Sequence, residues 1–200
     1  MLKIGLTGSI GMGKTTVAKM FAARGIPVFD ADAAVHTLYE RGGAAVDPVG
    51  QAFPGSLHDG AVDRAALSRL VVGKPAEIKR LEAIVHPLVA GLREAFLRAA
   101  EQRGEPMAVL EIQMLLEGSS ARNLDVIVVV SAPEAMQRDR ALARPGMSAE
   151  KLAGILSNQM PDAEKRARAD YVIDTGVSLA ETEKQVEALI ATLRHKAGNS

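Results

Sequence analysis

Residues 8–15 read Gly8-Ser9-Ile10-Gly11-Met12-Gly13-Lys14-Thr15, the pattern G-x-x-x-x-G-K-[ST]. The flanks fit it. Leu2, Ile4 and Leu6 alternate as in a strand, and Val17, Met20 and Phe21 recur at helical spacing. Strand, glycine-rich loop and helix in this order restrict the chain to α/β folds that hold a polyphosphate at a helix N-terminus. Backbone N–H groups of Gly11, Met12, Gly13, Lys14, Thr15 and Thr16 would surround the phosphates. Lys14 would reach the β and γ phosphates, and the Thr15 hydroxyl would ligate Mg²⁺, which makes ATP and Mg²⁺ the expected cofactors. A glycine-rich turn that binds nothing would use Gly11 and Gly13 equally well, but it has no need of Lys14 and Thr15.

The rest of the chain bounds what surrounds this loop. Its 200 residues are 48% hydrophobic, which suits one α/β domain with room for an inserted lobe. Lys+Arg and Asp+Glu both number 24, so no global field points to nucleic acid or to an acidic membrane surface. The absence of cysteine removes disulfides and thiolate chemistry. No stretch is long and apolar enough to span a bilayer, and the first strand starts at once, so no signal peptide and a cytoplasmic location are expected. Small-molecule substrates are the expected partners of a monomer or weak homo-oligomer.

Ile26, Val28 and Phe29 read as a second strand ending at Asp30. Residues 42–60 are rich in Ala, Gly and Pro and carry the turn signals Asp47-Pro48, Phe53-Pro54-Gly55 and His58-Asp59-Gly60. Asp63 is placed to cap a short helix. Pro75 to Arg103 reads as one long helix, in which Pro87 predicts a kink or break. Met107–Ile112 and Val126–Val130 read as buried parallel strands, and Tyr171–Ile173 as a last short one. Ser131 to Glu134 and Ser178 to Glu181 both fit capping boxes. Five strands joined by helices imply a P-loop NTPase-type parallel sheet flanked by helices. The expected single domain has a core of about 1–30, 105–140 and 166–200, a helical substrate lobe over about 31–104 and a small lid over about 141–165.

Ligands of open α/β sheets sit beyond the carboxyl ends of the strands, so Asp30 or Asp32 is expected near the γ-phosphate. There a carboxylate accepts a proton from an attacking hydroxyl or helps hold Mg²⁺. Either one could instead cap the helix that follows. Arg140 and Arg144, four apart, would share a helix face next to the breaker Pro145-Gly146, as suits a mobile lid closing on transferring phosphate. Arg140 is expected to act in catalysis and Arg144 in ATP binding. Lys151 and Lys165 read as solvated helix faces. His36, one turn after Asp32, could line the site. His86 interrupts the lobe's long helix beside Pro87 and serves a packed or a ligand-binding role equally well.

In combination these strings resemble the dephospho-CoA kinase family along nearly the whole chain. The carriers are the loop, Phe29-Asp30-Ala31-Asp32, Asp59-Gly60-Ala61-Val62-Asp63-Arg64 and Leu81 to Pro87, which ends in His86-Pro87. Further carriers are Leu115-Leu116-Glu117, Gln137-Arg138, Gln159 and Ala169 to Asp174. The resemblance implies ATP-dependent phosphorylation of the ribose 3′-hydroxyl of dephospho-CoA, the final step of coenzyme A synthesis. It makes Asp32 the expected base and Arg64 and His86 expected substrate contacts; Asp30, at the same strand end, is expected to bind substrate as well. The chain departs from the family pattern at Ser9, Met12 and Thr15 in the loop, and at Gln113, where the family usually has proline. Rival readings are a kinase of another small molecule and a nucleotide switch without an acceptor.

Overall fold

Five strands hydrogen-bond into one parallel sheet in a computed structural model that describes residues 1–118 and 123–198. In chain order the elements begin with β1 (Leu2–Thr7), α1 (Lys14–Ala23), β2 (Val28–Asp30), α2 (Ala31–Tyr39) and α3 (Val46–Ala52). There follow β3 (Leu57–His58), β4 (Ala61–Val62), α4 (Arg64–Val71), α5 (Pro75–Gln102) and β5 (Met107–Glu111). The last are β6 (Val126–Ser131), α6 (Glu134–Leu142), α7 (Ala149–Ser157), α8 (Asp162–Ala167), β7 (Tyr171–Asp174) and α9 (Leu179–Gly198). Of the core segments expected at 105–140 and 166–200, residues 119–122 and 199–200 lie outside the described residues.

The sheet order is β2-β5-β1-β6-β7. The loop strand β1 is therefore central, flanked by the two most apolar strands. Ile4, Leu6, Val109, Val126 and Val128 are fully buried and pack with Phe21 of α1 and Val186 and Leu193 of α9. Strands covered on both faces need apolar residues on both, which is why β5 and β6 are nearly continuous apolar runs. Register pairs Leu6 with Glu111 and Thr7 with Val129. The carboxyl ends of three strands thus lie level with the start of the loop.

The chain divides into two compact units, Met1–Phe29 with Ala100–Ser200, and Asp30–Ala99. The second has its own core, in which Tyr39, Val49, Phe53, Leu67 and Val85 are buried. The Arg80 guanidinium lies 5.4 Å from the centre of the Phe53 ring. Asp63 caps α4 as expected, accepting from the Ala65 and Ala66 N–H groups at 2.9 and 3.0 Å. The Asp59-Gly60 turn joins β3 to β4 with φ of 50° and 76°, the paired positive values of a tight hairpin turn.

Three local expectations fail, each for a physical reason. Residues 42–60 are not all turn: α3 forms there, because Pro48 sits in its first turn, where a missing N–H costs nothing. Of the kink or break expected at Pro87 the break does not occur: α5 runs from Pro75 to Gln102. Leu81, Ile84, Val85 and Leu88 pack into the same apolar cluster on both sides of the proline and hold the two arms together. Ser131 does not cap α6. Pro133 occupies the N-cap without a side-chain bond, and the Ser131 hydroxyl instead donates to Asp162 Oδ2 at 2.7 Å. The second capping box forms: Ser178 donates through N–H and hydroxyl to Glu181, and the Glu181 N–H donates back to the Ser178 hydroxyl.

Candidate nucleotide-binding site

The loop joins β1 to α1 through two glycines in left-handed conformation, Gly11 at φ 80° and Gly13 at φ 85°. A Cβ on Gly11 would stand 2.5 Å from the Gln137 carbonyl oxygen, so this position excludes a side chain by space as well as by φ. Gly13 is the N-cap of α1 and provides no side-chain cap. The Lys14 and Thr15 amides therefore remain for an anion, with the helix dipole behind them, while the Thr16 N–H turns back to the Gly13 carbonyl at 3.1 Å. Thr16, one of the residues expected to bind ATP, is exposed in this first turn.

Lys14 and Thr15 converge on one carboxylate. Lys14 Nζ lies 2.6 Å from Glu111 Oε1, and the Thr15 hydroxyl donates to the same oxygen at 3.0 Å. Glu111 is only 4% exposed and Lys14 12%, so the pair is shielded from solvent. Sequence reasoning missed Glu111. Its signal was available: it is the single charge in the apolar run Met107–Ile112, at the carboxyl end of a strand. A buried charge in that position needs a partner, and here it has the loop lysine. A carboxylate and a hydroxyl side by side are hard oxygen donors of the kind Mg²⁺ takes together with phosphate oxygens.

Arg140 reaches the other side of the loop through Thr175. Its two terminal nitrogens donate to the Thr175 hydroxyl at 3.2 Å and to the Thr175 carbonyl at 2.8 Å. The Thr175 hydroxyl in turn donates to the Met12 carbonyl at 2.7 Å. Met12, an unusual residue for this loop position, is 2% exposed, and its sulfur accepts from the Ala132 N–H at 3.1 Å. Arg144 does not share a helix face with Arg140. α6 ends at Leu142, its last turn closed by the Ala143 N–H, and Arg144 lies exposed in the connection before α7. A cavity of about 340 Å³ opens beside the loop, lined by residues that include Ser9, Met12, Gln137, Gln159 and Asp162.

Lys165 is not a solvated helix residue. It is fully buried, with Nζ 2.8 Å from Glu117 Oε1, while Glu117 also accepts from the Met160 N–H at 2.9 Å. Burial pushes the Glu117 carboxyl up, but Lys165 and the Met160 amide outweigh it and hold the group below the usual carboxylate range. The approach of Nζ is not along a hydrogen-bond direction, and no other acceptor reaches it among the described residues, so the contact is an ion pair. Glu117 Oε2 and Asp162 Oδ1 are buried with no hydrogen-bond partner among the described residues. Glu117 thus ties the turn after β5 to the segment leading into α8. Lys151 does lie at the surface, with Nζ on the Gly146 carbonyl at 2.8 Å.

The remaining expected residues open or line the second unit. Asp30 is the N-cap of α2: its Oδ1 accepts from the Asp32 and Ala33 N–H groups at 2.9 and 3.0 Å. Asp32 is exposed in the first helical turn, and its carboxylate makes no hydrogen bond or ion pair among the described residues. Arg64 opens α4 near Tyr39. Burial pushes the Tyr39 phenol up, and the Arg64 charge offsets part of that. His86 is exposed on α5. His36 stands 3.5 Å from Glu40, one turn on along α2.

Comparison with known proteins agrees along the whole chain. Residues 2–181 match the family model described as dephospho-CoA kinase. The dephospho-CoA kinase of Novosphingobium aromaticivorans is 55% identical over 96% of this chain and 95% of its own length. That of Mesorhizobium japonicum is 52% identical over the full length of both. Among solved structures, TT1252 from Thermus thermophilus superposes with a TM-score of 0.80 at 36% identity, covering 96% of this chain and 97% of that one. Dephospho-CoA kinase from Campylobacter jejuni gives 0.66 at 21% identity over 96% of each chain, a likeness of fold. The chain belongs to the dephospho-CoA kinase family, ATP-dependent kinases that carry out the final step of coenzyme A biosynthesis.

Proposed function

We propose that this chain transfers the γ-phosphoryl group of ATP to the ribose 3′-hydroxyl of dephospho-CoA, with Asp32 as the base. The observation that carries the base assignment is the division of labour in Asp30-Ala31-Asp32. Asp30 uses Oδ1 to cap α2, whereas the exposed Asp32 carboxylate has no hydrogen-bond or ion-pair partner among the described residues. A carboxylate without other partners is able to orient a hydroxyl and take its proton. Because the transition state of phosphoryl transfer is loose, orientation matters more here than basicity.

The loop amides of Gly11, Met12, Gly13, Lys14, Thr15 and Thr16 bind the ATP phosphates. Lys14 and Arg140 balance charge on the transferring group, and Arg144 adds to nucleotide binding from the connection after α6. Thr15, together with Glu111, would hold Mg²⁺, which when bound spreads the charge of the β and γ phosphates. Glu111 pairs with both Lys14 and Thr15, which places its carboxylate beside the two side chains assigned to the phosphates and the metal. The helical region 31–104 serves as the lobe for dephospho-CoA, with Asp30, Arg64 and His86 as substrate contacts, and 141–165 serves as the lid over the core.

The test is Asp32→Asn, which keeps shape and loses the proton acceptor. We expect kcat to fall by roughly 10²–10⁴ with ATP affinity nearly unchanged. Turnover at the normal rate would refute the base assignment. A panel of acceptors with ATP separates this reading from a kinase of another small molecule: phosphate should appear on dephospho-CoA alone.

A further inference from the structure

One loop residue is held from three directions by the segment between Gln137 and Gln159. The Ile10 N–H donates to Gln159 Oε1 at 3.2 Å, and the Ile10 carbonyl accepts from Gln137 Nε2 at 2.9 Å. Both bonds are buried, and the two glutamines are 7% and 9% exposed. The Ile10 side chain, also 7% exposed, forms a small core with Ala141 of α6 and Leu152 of α7, against which Met147 and Ile155 pack. Leu152 is 2% exposed on a short helix whose other large side chains are mostly accessible, so Ile10 is a main apolar anchor of α7.

From this geometry we infer that Gln137 and Gln159 are positioning residues of the phosphoryl transfer, acting through the Ile10 peptide to fix the phosphate loop and α7 to one another. The inference rests on the loop being the nucleotide site. Ile10 sits at the second variable position of the loop, next to Gly11, whose amide is among those facing the phosphates. Gly11 is itself seated against the Gln137 carbonyl. A shift of the Gly11 peptide on binding phosphate therefore moves the Ile10 peptide, to which both glutamines are bonded. Each glutamine is matched to its task. One presents an oxygen to an N–H and the other an N–H to an oxygen, and a buried peptide group without its partner is costly. A side chain of the same length without those atoms keeps the packing and cuts the link.

Amide hydrogen exchange on the full-length protein, with and without ADP and Mg²⁺, tests this directly. In the wild-type chain the nucleotide should slow exchange at residues 9–15 and also at 149–157. Protection at 9–15 with none at 149–157 would overturn the coupling alone. No protection at either would overturn the coupling together with the nucleotide reading it rests on. Gln159→Met and Gln137→Met should keep nucleotide protection of the loop and lose it at 149–157. Both should lower kcat by roughly tenfold or more through misplacement of the loop, with a smaller change in the KM for ATP. Nucleotide-dependent protection of 149–157 that survives in both variants would refute the link through Ile10. If one variant fails to fold, the wild-type exchange measurement and the other variant still decide the matter.

Discussion

Glu111→Gln removes one negative charge while leaving the shape of the β5 end nearly unchanged, and its consequences depend on what fills the loop. Glu111 Oε1 receives the Lys14 ammonium at 2.6 Å and the Thr15 hydroxyl at 3.0 Å. Bonds to a charged group contribute about 1.5–3 kcal/mol and neutral ones about 1, so the amide forfeits roughly 2 kcal/mol across the two. Little of this is screened, since the carboxylate is 4% and the lysine 12% exposed. For a chain of this size that is a fall in Tm of roughly 4–8 °C, measurable by calorimetry. With ATP present and the metal chelated, the phosphates replace Glu111 as counter-charge to Lys14. The variant should then bind ATP as well as the wild type or better, because a carboxylate facing the polyphosphate is gone. With Mg²⁺ the order reverses, and turnover should drop by roughly 10–100-fold, the usual effect of losing a group that orients a metal. An unchanged Tm combined with an unchanged Mg²⁺ dependence of turnover would refute both the pairing and the assignment of Glu111 to the metal.

The other expectations are narrower. Gly11→Ala places a Cβ 2.5 Å from the Gln137 carbonyl at φ 80°, and should abolish ATP binding with a stability loss of about 1–3 kcal/mol, read by isothermal titration and thermal melting. Lys165→Met should destabilise by about 3 kcal/mol because it strands Glu117, whereas Lys165→Met with Glu117→Leu should recover most of the loss. Since the folded protein holds Glu117 below the usual carboxylate range, its contribution is complete above about pH 4.3 and fades as pH falls through the folded value. Acid unfolding of Glu117→Gln should accordingly be less steep than that of the wild type below that point.

What the chain disclosed by itself follows the range of the forces involved. The loop, its strand and its helix are legible because phosphate binding needs particular residues at fixed spacing in one stretch of chain. Strands β5 and β6 are legible because burial on both faces demands continuous apolar runs, and β1 because Leu2, Ile4 and Leu6 alternate. Helix α3 was hidden because Asp47-Pro48 has the same spelling in a turn and in a first helical turn, and only packing of Val46 and Val49 separates the two. Pro87 was overruled by the same kind of evidence, an apolar cluster gripping α5 from both sides.

Long-range charge pairing is the part that local reading could not supply, and Lys165 and Glu111 show why in opposite ways. Lys165 stands in the sequence among Asp162, Glu164 and Arg166, a setting that reads as a solvated helix face. Its partner Glu117 is nearly fifty residues away, in a turn that approaches α8 only because β5 and β6 both flank β1. Glu111 carried a local clue, since a lone charge closing an apolar strand costs several kcal/mol unless something neutralises it. The sheet order then leaves few candidates: with β5 beside β1, the nearest cation beyond both carboxyl ends is the lysine of the loop itself. Joined to the phosphate loop, that argument adds Glu111 to Lys14 and Thr15. It also accounts for the lone acid at the end of β5, which balances a lysine that is itself only 12% exposed.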